Sequence, residues 1–188
     1  MLTFDADTHT YRWKGAQVPS VTQVLGPYTD LSRIPRAILD HKRALGQAVH
    51  RAIELYLADD LDESSLDPQV ADYFAGFLAF EAHSGFRMQM SEQRVYSLKY
   101  GYAGTLDLLG ELPTGPALID TKCTTTIYPT AGPQTAAYAE AVGERRIHRY
   151  ILQLAPGGKY DLVPCRDPGD WSVFQAALTL HFWRQRNA

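Results

Sequence analysis

The 188-residue sequence predicts an α/β fold, with a mixed central β-sheet flanked by helices. Helical and strand periodicities follow one another as helix, three strands, helix, strand, an order that builds a sheet covered by helices. Gly and Pro turn signals punctuate the periodic runs, and no repeat, low-complexity tract or interdomain linker interrupts them. At this length, with 45% hydrophobic and 21% charged residues, the chain can bury roughly 70% of its extended surface, enough for one unstapled core. A single domain over residues 1–188 is expected. It divides into a hairpin and short helix (1–30), a core (35–164) and a C-terminal helix (167–188).

Residues 2–18 alternate apolar and polar around Asp5-Ala-Asp-Thr8 and Lys14-Gly15, which predicts a small hairpin leading into Pro19. Ser20 and Gln23 form a capping-box pattern that opens a short helix stopped at Gly26-Pro27. From Pro35 a helix is expected to about Ala58, with Leu45, Val49, Ala52, Ile53, Tyr56 and Leu57 on its apolar side. The acidic 59–67 stretch is expected as a loop, and Asp67-Pro68 restarts a helix that Ser84-Gly85 ends. Residues 87–97, 102–112 and 117–123 favour β-structure. Pro133 to Gly143 predicts another helix, 147–154 and 160–163 two more strands, and Asp167-Pro168 the start of the last helix.

Composition narrows the function classes. Two cysteines make no disulfide framework and no four-cysteine zinc or iron–sulfur site, so an intracellular, reducing setting is expected. No run approaches the ~20 apolar residues of a membrane span, and the N-terminus lacks the basic start of a signal peptide. The formal net charge of -3 argues at first against a phosphate backbone as partner. The charge is segregated, however. Arg33, Arg36, Lys42, Arg43 and Arg51 face one acid, Asp40, and Arg145, Arg146 and Arg149 form a second basic knot, whereas residues 54–67 hold six acids and no base.

Along Leu118-Ile-Asp120-Thr-Lys122-Cys123, strand alternation projects Asp120 and Lys122 from one face and Cys123 from the other. Asp107 stands in an apolar run 13 residues earlier, one turn away, on a strand expected to neighbour that of Asp120. Two carboxylates brought together repel unless a cation lies between them, and hard oxygen ligands suit Mg²⁺ or Mn²⁺. Each aspartate taken alone also fits a solvated strand end. Gly104 leaves two readings open, close approach of a ligand or a bulge. His50 shares a helical side with Gly46, Ile53 and Leu57, which suits a ligand or a hydrogen-bonded core histidine. Glu54 fits a surface acid paired with Arg51. Glu92 can pair with Arg94 or Lys99. Gln134 and Tyr138, at i and i+4, share a helix face able to hold a phosphate or base edge, or merely to be polar surface. Thr124, Thr125 and Thr126 fit either a DNA-contacting loop or a capped turn. Tyr28 and Tyr56 are candidates for base stacking beside the basic stretch.

Gly104-Thr-Leu-Asp107 followed by Asp120-Thr-Lys122 resembles the core of the PD-(D/E)XK nuclease superfamily, with Leu106 where the superfamily's name has proline. Gly46-Gln-Ala-Val-His50 resembles the histidine motif of its RecB-like branch, Glu92 its first-strand acid, and Gln134-Thr-Ala-Ala-Tyr138 its Q-x-x-x-Y helix. Pro19-Ser-Val-Thr-Gln-Val-Leu25 resembles an opening segment of phage-type exonucleases and the mitochondrial genome maintenance exonuclease. The resemblance spans roughly residues 19–138 and implies a restriction-endonuclease-like α-β-β-β-α-β core with an N-terminal hairpin and a helical insertion. It implies Asp107, Asp120, Lys122 and Glu92 as catalytic residues; His50, Asp107, Asp120 and the Thr121 carbonyl as ligands of Mg²⁺ or Mn²⁺; and Gln134, Tyr138, Thr124, Arg43, Arg51 and Ser20 as DNA contacts. The cluster-binding cysteines of the iron–sulfur relatives are missing, so no such cluster is expected, and without a P-loop no ATP.

The expected activity is a metal-dependent DNA exonuclease in recombination, replication or repair, acting on single strands or DNA ends in the cytoplasm of a bacterial or phage-infected cell. A single-strand annealing or recombination protein is an expected companion, and a membrane is not. A DNA endonuclease of the same fold shares every site residue. A non-catalytic DNA-binding module would be expected to have lost one of Asp107, Asp120 and Lys122.

Overall fold

The computed structural model describes residues 1–144 and 146–187. Among them, no helix is long and apolar enough to cross a membrane. The centre is a five-stranded mixed sheet in the order β4-β5-β6-β7-β8, comprising β4 (Arg87–Ser97), β5 (Tyr102–Leu112), β6 (Gly115–Lys122), β7 (His148–Ala155) and β8 (Lys159–Pro164). Only β6 and β7 run parallel, joined by a helical crossover, α4 (Ala131–Val142).

Both faces of the sheet are covered. On one, α2 (Arg36–Leu57) and α3 (Pro68–Ser84) bury Leu45, Val49, Ile53, Phe74 and Phe80 against Leu108, Ile119 and Leu152. On the other, α1 (Val21–Leu25), α4 and α5 (Asp170–Arg186) bury Val21, Ala137, Tyr138 and Phe174 against Tyr102, Leu106 and Leu118. These residues sit within a few per cent of complete burial. Truncating Phe80 to alanine is therefore a cavity-forming change costing about 3–5 kcal/mol.

Local chemistry explains most boundaries. Ser20 Oγ accepts the Gln23 N–H, and Gln23 Oε1 accepts the Ser20 N–H, so the expected capping box opens α1. Asp67 caps α3 and Pro68 enters its first turn; Gly85, at φ +67°, ends it with a left-handed residue that costs glycine nothing. α4 starts at Ala131, two residues before Pro133, because a proline is tolerated in the first turn, where N–H groups have no helical acceptor. Asp167 Oδ1 accepts the Gly169 N–H, so Asp167-Pro168 forms a turn and α5 begins only at Asp170.

The expected N-terminal hairpin is a three-stranded meander of β1 (Leu2–Asp5), β2 (Thr10–Trp13) and β3 (Ala16–Val18), since both turns reverse the chain. It is fastened to the main sheet by distant contacts. The Ala103 N–H donates to the Pro19 carbonyl, Tyr11 Oη lies 2.7 Å from Thr105 Oγ1, and Trp13 stacks on Tyr96 with ring centroids 4.5 Å apart. The acidic stretch carries a short 3-10 turn at Glu63–Ser65.

Candidate active site

β5 and β6 pair from Leu112↔Gly115 to Leu108↔Ile119, and there the ladder stops. Beyond that point the carboxylate of Asp107 fills the fork between the strands, its Oδ2 accepting the Thr121 N–H at 2.6 Å. On the other side of β5, Ser91 pairs with Leu108 and Gln93 with Leu106, which sets Glu92 opposite Asp107. Glu92 holds φ +48°. A left-handed glutamate costs on the order of 1–2 kcal/mol, strain of the kind that gathers at functional sites.

α2 supplies the third group. His50 Nδ1 lies 3.5 Å from Glu92 Oε1 and 3.8 Å from Asp107 Oδ2, and ligand atoms of the three residues all fall within 4.8 Å of one another. His50 Nε2 is 3.1 Å from the Thr121 carbonyl. With the Nε2 proton donated there, Nδ1 faces the two carboxylates. The Thr121 carbonyl thus orients the imidazole. A pit of about 10 Å³ bounded by His50, Glu92, Asp107 and Thr121 lies beside the cluster. That is near the lower limit for one water-sized occupant.

Asp120 and Lys122 face the α4 side. Lys122 Nζ is 2.7 Å from Asp120 Oδ2, and Gln134 Nε2 donates to Asp120 Oδ1 at 2.8 Å while its Oε1 accepts from Lys122 at 3.4 Å. Oδ2 is fully buried against the Lys122 ammonium.

Burial and mutual repulsion set the protonation states. Burial raises Asp120 to about 6, with Asp107 adding to the rise and Lys122 opposing it. Burial also raises Asp107, against the pull of His50 and Lys122. For His50, burial disfavours the charge, but Asp107 and Glu92 outweigh it and hold the imidazole at about 9. Burial likewise works against Lys122, yet Asp120 and Asp107 keep it above its ordinary value. The lysine is therefore an ammonium at neutral pH.

These groups floor a cleft of about 490 Å³, walled by α2 (Gly46, Gln47, His50, Arg51) and by the meander (Phe4, His9, Tyr11). Of the expected DNA contacts, Gln134, Tyr138, Ser20 and Arg51 line this cleft, and Thr124 and Arg43 do not. Gln134 is committed to Asp120 and Lys122. Tyr138, 3% exposed, packs its ring where a Cβ on Gly104 would come within 2.6 Å, so Gly104 admits that packing, and it also lines the cleft. Ser20 is buried and spent on its cap. Thr124 Oγ1 donates to the Thr126 carbonyl and closes a turn. Arg51 reaches the cleft but pairs with Glu54 at 2.6 Å, and Arg43 sits outside it near Asp40. Tyr56 donates to Glu81 within the α2–α3 core, and Tyr28 does not line the cleft. In the second basic knot Arg145 lies outside the described residues, and Arg149 pairs with Asp170 at 3.0 Å. Cys123 is buried in the α2-side core, where burial pushes its thiol to about 12.

Sequence reasoning missed Phe4, His9, Tyr11, Thr105 and Arg94 as cleft residues. Their signal, an aromatic alternation at the N-terminus, says nothing by itself of the strand it meets some 90 residues later.

Comparison of the chain with protein-family models finds no match, and comparison with curated proteins finds none. Function therefore rests on the geometry.

Proposed function

We propose that this protein is a divalent-metal-dependent deoxyribonuclease, an exonuclease that hydrolyses phosphodiester bonds. The observation that carries this reading is the convergence, on one cleft floor, of the His50–Glu92–Asp107 cluster with the buried Asp120–Lys122 pair. The order α2-β4-β5-β6-α4-β7 supports a restriction-endonuclease-like core.

The donor set fits a hard divalent cation such as Mg²⁺, or Mn²⁺, for which carboxylates with one imidazole suffice while water and phosphate complete the shell. The raised affinity of the buried carboxylates for protons, which a bound cation would replace, points to the same conclusion. His50, Glu92, Asp107 and Asp120 would hold it. When bound, it would offset the negative floor, polarise the scissile phosphate and acidify an attacking water.

The chain's own groups do the rest. Lys122, kept protonated, donates to the water or to a phosphate oxygen and opposes the charge that grows there. Gln134 holds the carboxylate and the ammonium in register from α4. The Thr121 carbonyl fixes the imidazole, and Glu92 faces it from β4. No nucleotide-hydrolysing step is needed, so ATP has no part in this reading.

Labelled linear DNA, single- and double-stranded, beside closed circles, tests it with Mg²⁺, Mn²⁺ or EDTA for wild type and Asp120→Ala. Expected is release of nucleotides from linear ends with metal and none with EDTA or the variant. Nicked circles would assign an endonuclease. No cleavage by wild type with either metal, or equal cleavage by Asp120→Ala, would overturn the proposal.

A further inference from the structure

The floor of the cleft is acidic, and its nearby cations are compensated: Lys122 by Asp120 and Arg51 by Glu54. Among the described residues, Arg94 is the cation lining the cleft that has no carboxylate within ion-pair distance. It projects from the edge strand β4, two residues after Glu92, and pairs across the ladder with Thr105, two residues before Asp107. It is therefore one strand repeat, about 7 Å, from the metal cluster.

Arg94 is exposed at the cleft rim. Its guanidinium lies 5.2 Å over the Phe4 ring, and Phe4 in turn meets Tyr11 with centroids 4.5 Å apart at 35°. Tyr11 anchors the stack through Thr105. His9 closes its side edge-on, 5.2 Å from Phe4 and 5.9 Å from Tyr11. His9 holds φ +50° at the β1–β2 turn, where glycine or asparagine would sit without strain. Tyr11, Phe4 and the guanidinium thus cluster together, and all three residues line the cleft.

We propose that Arg94, Phe4 and His9 form a nucleotide-stacking subsite that holds an unpaired base beside the scissile phosphate. The subsite rests on the nuclease reading for what lies next to it. Guanidinium planes and aromatic rings both stack bases, and every base has a π-face, so such a surface accepts unpaired nucleotides whatever their sequence. A base stacked inside a duplex cannot offer that face. The charge of Arg94 at the same time meets the backbone phosphate, which the acidic floor would otherwise repel.

Binding separates the subsite from the chemistry. Fluorescence anisotropy of a labelled single-stranded oligothymidylate, an abasic version and a hairpin duplex is measured in Ca²⁺ and again in EDTA, for wild type, Phe4→Leu, Arg94→Lys and Arg94→Gln. Wild type is expected to prefer the single strand, and Phe4→Leu and Arg94→Lys each to bind it on the order of tenfold more weakly, the scale of one lost stack. Arg94→Lys should keep the wild-type salt dependence, whereas Arg94→Gln should flatten it by about one phosphate contact. With the abasic strand the Phe4→Leu and Arg94→Lys losses should vanish. In cleavage, Phe4→Leu should raise KM with little change in kcat. Equal binding of duplex and single strand, no binding of either, or wild-type affinity in Phe4→Leu and Arg94→Lys would overturn the subsite. Should Phe4→Leu fail to fold, judged by thermal unfolding, the exposed Arg94 variants decide alone. A protein that binds as described but cleaves nothing would overturn the nuclease reading and leave the subsite standing.

Discussion

Two buried ion pairs flank α4, and they are built differently. Arg149 bonds Asp170, the Gly132 carbonyl, Thr135 Oγ1 and the Asp167 carbonyl, and a Cβ on Gly132 would come within 2.5 Å of the Asp170 carboxylate. Lys122 and Asp120 have Gln134, each other and an open cleft. A pair whose bonding capacity is used up within the protein ties β7, α4 and α5 together. A pair left short of partners has capacity for a ligand.

Removing a carboxylate from the open pair should have the largest effect. Asp120→Asn is expected to lower kcat/KM for DNA cleavage by at least about 10³-fold, roughly 4 kcal/mol in the barrier, measured with Mg²⁺ on a labelled strand. Its stability in EDTA should stay within about 1 kcal/mol of wild type by urea unfolding, since burial raises the carboxyl to about 6 and makes its charge a cost at neutral pH, which offsets the loss of the anion beside Lys122. Arg149→Ala should reverse this pattern. Leaving Asp170 buried without its cation costs about 3 kcal/mol, or about 6–12 °C in Tm, while kcat of the folded fraction stays within about twofold. If Asp120→Asn proved the more destabilised variant and Arg149→Ala the inactive one, the contrast would collapse.

Gly46 sharpens it on the α2 wall. A Cβ there would meet nothing within 4 Å, so the protein's own packing does not require this mid-helix glycine. Gly46→Ala should stabilise by up to about 1 kcal/mol and, if a strand passes over that bare turn, raise KM several-fold. Unchanged KM would remove α2 from the binding wall.

The smallest effect concerns pH. In the metal-free protein the His50 charge is favoured by the fold, its pKa lying at about 9 against 6.5. That stabilisation is complete below pH 6.5 and is lost as pH rises toward 9. Thermal unfolding in EDTA should show a decline across this window that is shallower in His50→Gln.

Much of this architecture was legible because local chemistry wrote it. The Ser20–Gln23 box, Asp67-Pro68 and Gly85 mark helix ends by bonds that span three residues or fewer. Asp107, Asp120 and Lys122 stood out because charged residues interrupt apolar strand patterns. β3 escaped as a separate strand because three residues carry too little alternation. Gln134 and Tyr138 share a face as their spacing requires, but spacing does not tell which neighbour that face meets, and it meets Asp120 and Gly104. The left-handed Glu92 was invisible because nothing in its residue type announces such a backbone. Aromatic candidates chosen by proximity to basic residues, Tyr28 and Tyr56, fell away because charge along the chain does not predict where rings pack.

The fastening of the meander also orders events in time. Asp107 meets Thr121 across 14 residues, a hairpin-scale closure, whereas Tyr11 reaches Thr105 across 94. Loop closure of the longer kind is entropically dearer and slower to be rewarded. The β5–β6 fork that seats Asp107 is therefore expected to close before the aromatic wall docks, whereas His50, 71 residues from Thr121, joins over a span closer to that of the meander.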